Sequence, residues 1–564
     1  MRLKPHLSIF VVCIMFFFFL FVGNAASAKE KANSELRNLG LGLPYTISAP
    51  TGEIDTGNEL TDGNYGSLDF NHPSWQRHLR QQERTVTFDL GEKKSIGQVK
   101  AHFLQDTPVG IHFPEKVTIS VSQNLHDWGE LAEIKSEIPL FETGKTGPTA
   151  LTQNYIWDGS IDGLPRGNKH AEMVYARYVQ VKFTTDVWVF LDEIEILGVD
   201  GKDKNAKSLP PNNNKPEVDL GYLKPGEQTG GIHNLVLLYN GWYANGFGDW
   251  TKDKLLPYVS YVDQAGEPQD WFFDGVLFLG LQSPNKRDFM EVSIPTNKDD
   301  WQWYLDKTFA PDGDMEQLNE AAKEVATKLE EPDHKVKVIL MVPYPSMNQQ
   351  NFGDVDGDGK TEIFDYNLIG HDEAYRNKQK ALEWYINEAT EYWEAAGYSH
   401  LELSGLYWLS EKVNLQSSHE IDMIHWMKEQ TEAKELAFLW MPYMDAVRSH
   451  QWEESGFGAA AMQPSYFFDG KDPSRIETAA NLAKRYGMGV EIEVNEEVIY
   501  HEEWRQRYLA YLNGGIDFGY MDNAFKAYYQ GGDTYYRGAY STDPKARATY
   551  DWTYEFTKGT YLGP

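Results

Sequence analysis

Eight short apolar runs, each followed by a helical or loop segment, occupy the chain from His233 to Asn523. In order they are HNLVLLYN, WFFDGVLFLG, VKVILMVPYP, LELSGLYWLS, LAFLWMPYM, AAAMQPSYFF, MGVEIEVN and IDFGYMDN. Near-continuous apolar strands that alternate with amphipathic helices belong to a parallel sheet covered on both faces. Eight such units over about 300 residues predict a closed (β/α)8, or TIM, barrel. Reactive groups in that architecture sit at the C-terminal strand ends. Those ends carry Glu411 after the fourth strand and Glu493 in the seventh, with Glu491 two residues before it.

The residues ahead of the barrel have a different rhythm. From Thr46 to Val199, segments such as RTVTFDL, EKVTISVS and ARYVQVKFT alternate apolar and polar residues between turn clusters, which predicts an all-β sandwich. ELTDGNYG, VTFDLGEKKSIGQV, PEKVTISVSQNLHDWGEL, ARYVQVKF and LDEIEILG resemble the discoidin, or coagulation factor 5/8 C-terminal, family of galactose-binding-like jelly rolls. That resemblance implies glycan binding through loops at one end, for which Trp75, His102 and Trp188 are candidates. It also implies a structural calcium held by Asp62, Asn64, Ser67 and Glu193; the plain alternative is an Asp-Gly turn that binds nothing. Residues 200–231 are polar and rich in Pro and Asn and read as a linker, so the barrel domain spans 232–564.

Residues 1–28 read as a cleavable signal. Arg2 and Lys4 precede an apolar run from Ile9 to Val22, and Ala26-Ser27-Ala28 follows it; a retained anchor is the alternative. The single cysteine, Cys13, lies within that run, so neither disulfides nor a thiolate metal site are expected in the mature chain. Loss of Arg2 and Lys4 takes the net charge from −32 to −34. Such a surface repels nucleic acid and anionic membranes. The expectation is a secreted or cell-surface monomer without stable membrane insertion.

The stretch Asp354-Val-Asp356-Gly-Asp358-Gly-Lys360-Thr-Glu362-Ile-Phe-Asp365 has EF-hand spacing. Oxygen side chains occupy positions 1, 3, 5, 9 and 12, glycine is at 6, and Lys360 offers its carbonyl at 7. Calcium prefers six to eight hard oxygens, so a structural calcium is expected here, with Asp at position 12 as in dockerin-like loops.

Glycosidic hydrolysis needs one carboxyl to protonate the leaving oxygen and another to attack or to activate water. Acids after strands four and seven resemble the layout of the retaining (β/α)8 glycoside hydrolases. On that resemblance Glu411 is the acid/base and Glu493 the nucleophile, although Ser410 stands where those enzymes usually have Asn. Glu496 is a substitute if strand seven runs longer. Candidate sugar contacts are Asn240, Trp242, Tyr344, Trp408, Tyr443, Asp445, Gln463, Tyr466, Glu491 and Asp522. GGIHNLVLLYNG, FDGVLFLG, FGDVDGDG, GLYWLSE and GIDFGYMDN resemble the bacterial family called domain of unknown function 4855, which implies the domain boundary but no activity. The combined expectation is a calcium-containing hydrolase that cuts a polysaccharide held by its sandwich. The alternative is a glycan-binding or cell-surface protein on a degenerate barrel. No HExxH, Gly-x-Ser-x-Gly or clustered His motif supports a metallohydrolase or an esterase.

Overall fold

The computed structural model describes residues 36–48, 57–79, 83–136, 150–164, 171–212, 219–417 and 419–564. The segment read as a signal lies outside them. Among the described residues no helix is long and apolar enough to cross a membrane.

The N-terminal region is the expected β-sandwich. Its spine is the strand Glu83–Asp106, which pairs antiparallel with Tyr45–Ile47, Ala150–Asp158, Met173–Thr184 and Trp188–Val199. The alternation in RTVTFDL turns Val86, Phe88 and Leu90 into a core shared with Val179, Val181, Ile194 and Ile196. Register shifts at Asp89/Lys94 and Ile96/Gln98 bend this strand, so that one segment serves several partners.

Both ends of the segment read as a linker are fastened. Ala206–Lys207 pairs with Met173 and Val174, and the Asn212 N–H donates to the Trp128 carbonyl at 3.0 Å. On the barrel side the Leu223 N–H donates to Met488 at 3.0 Å, and its carbonyl accepts from Phe525 at 2.7 Å.

The second region is a closed parallel barrel of eight strands. They are β1 (Asn234–Tyr239), β2 (Gly275–Leu279), β3 (Val336–Val342), β4 (Leu401–Trp408), β5 (Ala437–Trp440), β6 (Ala459–Met462), β7 (Gly489–Glu493) and β8 (Lys526–Tyr529). Each pairs with its successor, and β8 returns to β1 through Asn234↔Lys526 and Val236↔Tyr528. The C-terminal helix Pro544–Thr557 docks on the first helix of the barrel, where the Tyr550 hydroxyl donates to the Pro257 carbonyl at 2.9 Å.

Strand eight departs from the sequence reading. IDFGYMDN is helical: Glu502–Asp517 forms one helix, Gly519 takes φ of 82°, and Tyr520–Asn523 makes a short helical turn. The strand begins three residues later. Its apolar run is masked by Lys526, a buried lysine whose ammonium donates to the carbonyls of Met521 (2.7 Å) and Ala524 (3.1 Å). Asp522 therefore precedes β8, at the N-terminal end of the barrel.

Sandwich and barrel meet through polar contacts. The Arg448 N–H donates to Asp186 Oδ1 at 2.9 Å, Gln451 Nε2 donates to Glu115 Oε2 at 3.0 Å, and Arg485 lies 3.5 Å from Glu83.

Candidate active site

A cavity of about 320 Å³ opens at the C-terminal end of the barrel, and Glu411, Glu491 and Glu493 all line it. β7 sets two of these side chains. Residues two apart on a strand share a face, so Glu491 and Glu493 both point inward, with Glu491 one pleat deeper. The third comes from the loop after β4, where Trp440 Nε1 donates to the Ser410 carbonyl at 2.8 Å. The Ser410 hydroxyl donates to the Lys412 carbonyl at 3.0 Å, so this residue fixes the turn that carries Glu411.

The three carboxyls differ in surroundings. Glu411 is half-buried and hydrogen-bonded by Gln463, and burial lifts it above the usual carboxylate range. Glu493 is 2% exposed. Burial pushes it up to about 7, against the pull of the Tyr511 hydroxyl, Arg475 and the Ser465 N–H. The Tyr511 hydroxyl donates a hydrogen bond to Glu493 Oε2, while its oxygen accepts the backbone N–H groups of Tyr466 and Phe467 at 2.9 Å each. Glu491 is 3% exposed and has one oxygen, Oε2, without a hydrogen-bond partner. Burial, then Glu493 and Glu411, raise it well above the usual range. One acid is thus held as an acceptor by a dedicated phenol, while another is held toward its protonated form.

Of the ten candidate sugar contacts, Tyr443, Gln463 and Glu491 line this cavity. The rest lie elsewhere. Asn240 is fully buried and bridges Thr308, Asp314 and the Tyr304 hydroxyl. Trp242 is half-buried in the loop after β1. Trp408 points outward from β4 and packs edge-on against Tyr344, whose hydroxyl donates to the buried Glu420 at 3.0 Å. Asp445 lies 3.8 Å from Arg475, and Tyr466 donates its N–H to Tyr511. Asp522 is exposed at the opposite end. Glu496 clamps the loop after β8 by accepting the N–H groups of Gly532 and Asp533, the latter at 2.9 Å.

Sequence reasoning missed Tyr239, Tyr407, Tyr529 and Phe468, the aromatic walls. Strand parity marks three of them, since Tyr407 and Leu409 share the register of Glu411. Tyr511 has no comparable signal, because it reaches Glu493 from a helix 18 positions later.

In the EF-hand-like loop, ligand oxygens of Asp354, Asp356 and Asp358 lie within 4.8 Å of one another. Asp354 accepts the N–H groups of Gly357 (2.6 Å) and Gly359 (2.8 Å), while Lys380 donates to Asp356 at 2.6 Å. Glu362 Oε2 accepts the Val355 N–H at 3.1 Å, and the Lys360 ammonium donates to Asp358. Asp365 caps the next helical turn through the Asn367 N–H and accepts from Gln350 at 3.0 Å.

In the sandwich, Glu193 is fully buried; its Oε2 accepts the Gly63 N–H at 3.0 Å and its Oε1 has no partner. Burial pushes this acid up to about 8, with Asp62 adding to the rise. Asp62 accepts the Asn64 N–H at 2.8 Å, and Ser67 accepts the Asp69 N–H at 3.2 Å. Trp75 is buried and bonded to the Ser67 carbonyl, and His102 stacks on it while holding Asp192 at 2.7 Å. Trp188 is half-buried against Phe190.

Residues 234–555 match the family model described as Domain of unknown function (DUF4855). No curated protein matches the chain. The N-terminal region is similar to chitosan-binding module 1 derived from a chitosanase/glucanase from Paenibacillus sp. IK-5, at 17% identity over 29% of this chain and 99% of that one, with a TM-score of 0.19. It is similar also to a Streptococcus pneumoniae fucose binding module, at 20% identity over 30% and 99% of the two chains, with a TM-score of 0.19. A fucolectin from striped bass (Morone saxatilis) serum matches at 19% identity over 29% of this chain and 49% of that one, with a TM-score of 0.21.

Proposed function

The chain belongs to the family described as Domain of unknown function (DUF4855), and from that premise, which supplies kinship but no activity, we propose that it is a secreted glycoside hydrolase acting on a polysaccharide. The observation that carries the reading is the convergence of Glu411 and Glu493 in one cavity at the C-terminal barrel end. Glu411, half-buried with its carboxyl raised, serves as acid/base; burial favours the protonated form that gives its proton to the leaving oxygen. Glu493 serves as nucleophile or base, since Tyr511, Arg475 and the Ser465 N–H all favour its ionised form. Aromatic walls and an apolar floor of Leu237, Leu279 and Met290 suit the faces of a pyranose ring. The sandwich holds the polymer while the barrel cuts it.

Calcium belongs to the same proposal. The carboxylates of Asp354, Asp356 and Asp358, with the Lys360 carbonyl, Glu362 and Asp365, fit a hard cation that would tie this loop to the helix His371–Ala396. The unpartnered Glu193 oxygen beside Asp62 fits a second ion in the sandwich, which would supply the missing partner.

The test is reducing-end release from a panel of bacterial and plant polysaccharides in calcium. Release marks a glycosidase. Binding to a polysaccharide in the panel without release would favour the glycan-binding reading on a degenerate barrel.

A further inference from the structure

Two carboxyls suffice for glycosidic hydrolysis, and the cavity holds three. Glu491 is the surplus one. It lies below Glu493 on the same face of β7, is 3% exposed, lines the cavity, and keeps one oxygen without a hydrogen-bond partner. An acid buried in this way is costly, and an apolar residue would fill the position at lower cost. Its neighbours give the reason for it. Tyr239, Tyr407, Tyr443, Tyr529 and Phe468 wall the cavity, and among the described residues no Lys, Arg or His side chain lines it.

Aromatic faces set around acids, with no cation among the described residues that line the cavity, are the surroundings that stabilise an ammonium; Arg475, which favours the ionised form of Glu493, is not part of that lining. The rings attract it through their quadrupoles, and a carboxylate forms a charge-assisted hydrogen bond to it. A uronic acid or a sulfate ester would meet three acids and no cation in the described lining. The charge of the whole chain, −32, draws cationic ligands in the same direction. We infer that the cavity takes a sugar bearing an unacylated amine, with Glu491 as the partner of its ammonium. The inference rests on the reading of the cavity as a sugar site and goes beyond it in naming the chemical class.

The test is calorimetric titration of the full chain carrying Glu411→Gln, so that turnover does not consume the ligand. The probes are oligomers of glucosamine and of galactosamine, their fully N-acetylated counterparts, and neutral gluco-oligosaccharides of equal length. N-acetylation removes the charge and keeps ring and linkage. The amine-bearing oligomers of at least one series are expected to bind at least about tenfold tighter than their acetylated forms. Adding Glu491→Gln is expected to abolish that preference, lowering the affinity for amine-bearing oligomers at least about tenfold more than that for neutral ones. A melting curve of each variant reports that it is folded.

Equal affinities for charged and acetylated oligomers would overturn the inference, as would no binding of any amine-bearing oligomer. A preference that survives Glu491→Gln belongs to the sandwich, and an equal loss for all probes makes Glu491 a structural residue; either result also overturns it. Hydrolysis fails separately. Amine-selective binding without reducing-end release by the native protein would leave this inference standing and remove the glycosidase.

Discussion

The Tyr511 hydroxyl donates a hydrogen bond to Glu493 while its oxygen accepts the N–H groups of Tyr466 and Phe467, each at 2.9 Å. One phenol thereby ties the end of β7 to the start of the turn after β6. The two N–H donors polarise the hydroxyl, which strengthens the bond it donates. A buried carboxylate is tolerated where such donors surround it.

Tyr511→Phe removes that donor and leaves two N–H groups without their acceptor. The expected loss of stability is about 1–3 kcal/mol, the cost of a buried polar group left unsatisfied. Glu493 should also rise further, so the acid limb of the pH–rate profile moves to higher pH. A profile that stays in place would show that Tyr511 does not tune Glu493.

Glu493 is pushed up to about 7 and must be ionised to act as nucleophile or base. Turnover is therefore expected to fall as pH drops through about 7.

Glu491 and Glu493 hold their protons more tightly folded than unfolded, where 4.5 is the ordinary value. Their contribution to stability is thus greatest below pH 4.5 and declines as pH rises toward the folded values. Glu491→Gln stays neutral and escapes that decline. It should melt higher than the native protein at pH 8, by about 1–2 °C for each kcal/mol recovered in a domain of this size, and no higher at pH 4. Differential scanning at the two pH values reads this directly.

Chelation is expected to lower the melting temperature. An ion present at 100 times its dissociation constant contributes about 2.7 kcal/mol. Asp354→Ala should remove the part of this effect that belongs to the barrel loop. Glu193→Gln should remove the part that belongs to the sandwich, and in chelator at pH 7 it should be neutral or stabilising, because Glu193 is itself pushed up to about 8.

Asp186, 8% exposed, fixes the Arg448 backbone from the sandwich side. Asp186→Ala is expected to cost about 1–3 kcal/mol. It should also separate the melting of the sandwich from that of the barrel, seen as two transitions in place of one.

Seven of the eight barrel strands were legible because parallel strands buried on both faces are apolar at every position. That property also hid which residues face inward. In β4 the continuous run LYWLS offers Trp408 and Tyr407 equally, and the choice of Trp408 fell on the outward parity, where it packs against Tyr344 and Phe438. Glu491 and Glu493 were recoverable because two charges with spacing two must share a face. The eighth strand was lost to Lys526, whose charge is satisfied by carbonyls that only the fold brings near. Asp365, whose spacing fits a calcium ligand, also accepts the Asn367 N–H and Gln350 Nε2, contacts that spacing alone does not give.

The most direct measurement compares the native protein with Glu411→Gln and Glu493→Gln on the polysaccharide that the panel identifies, in calcium, with the melting temperature of each variant recorded. Both variants are expected to fold and to lose reducing-end release by about 10²–10⁴, the range expected when a positioned acid or base is removed. A folded variant of either kind that retains native turnover would contradict the assignment of this carboxyl pair.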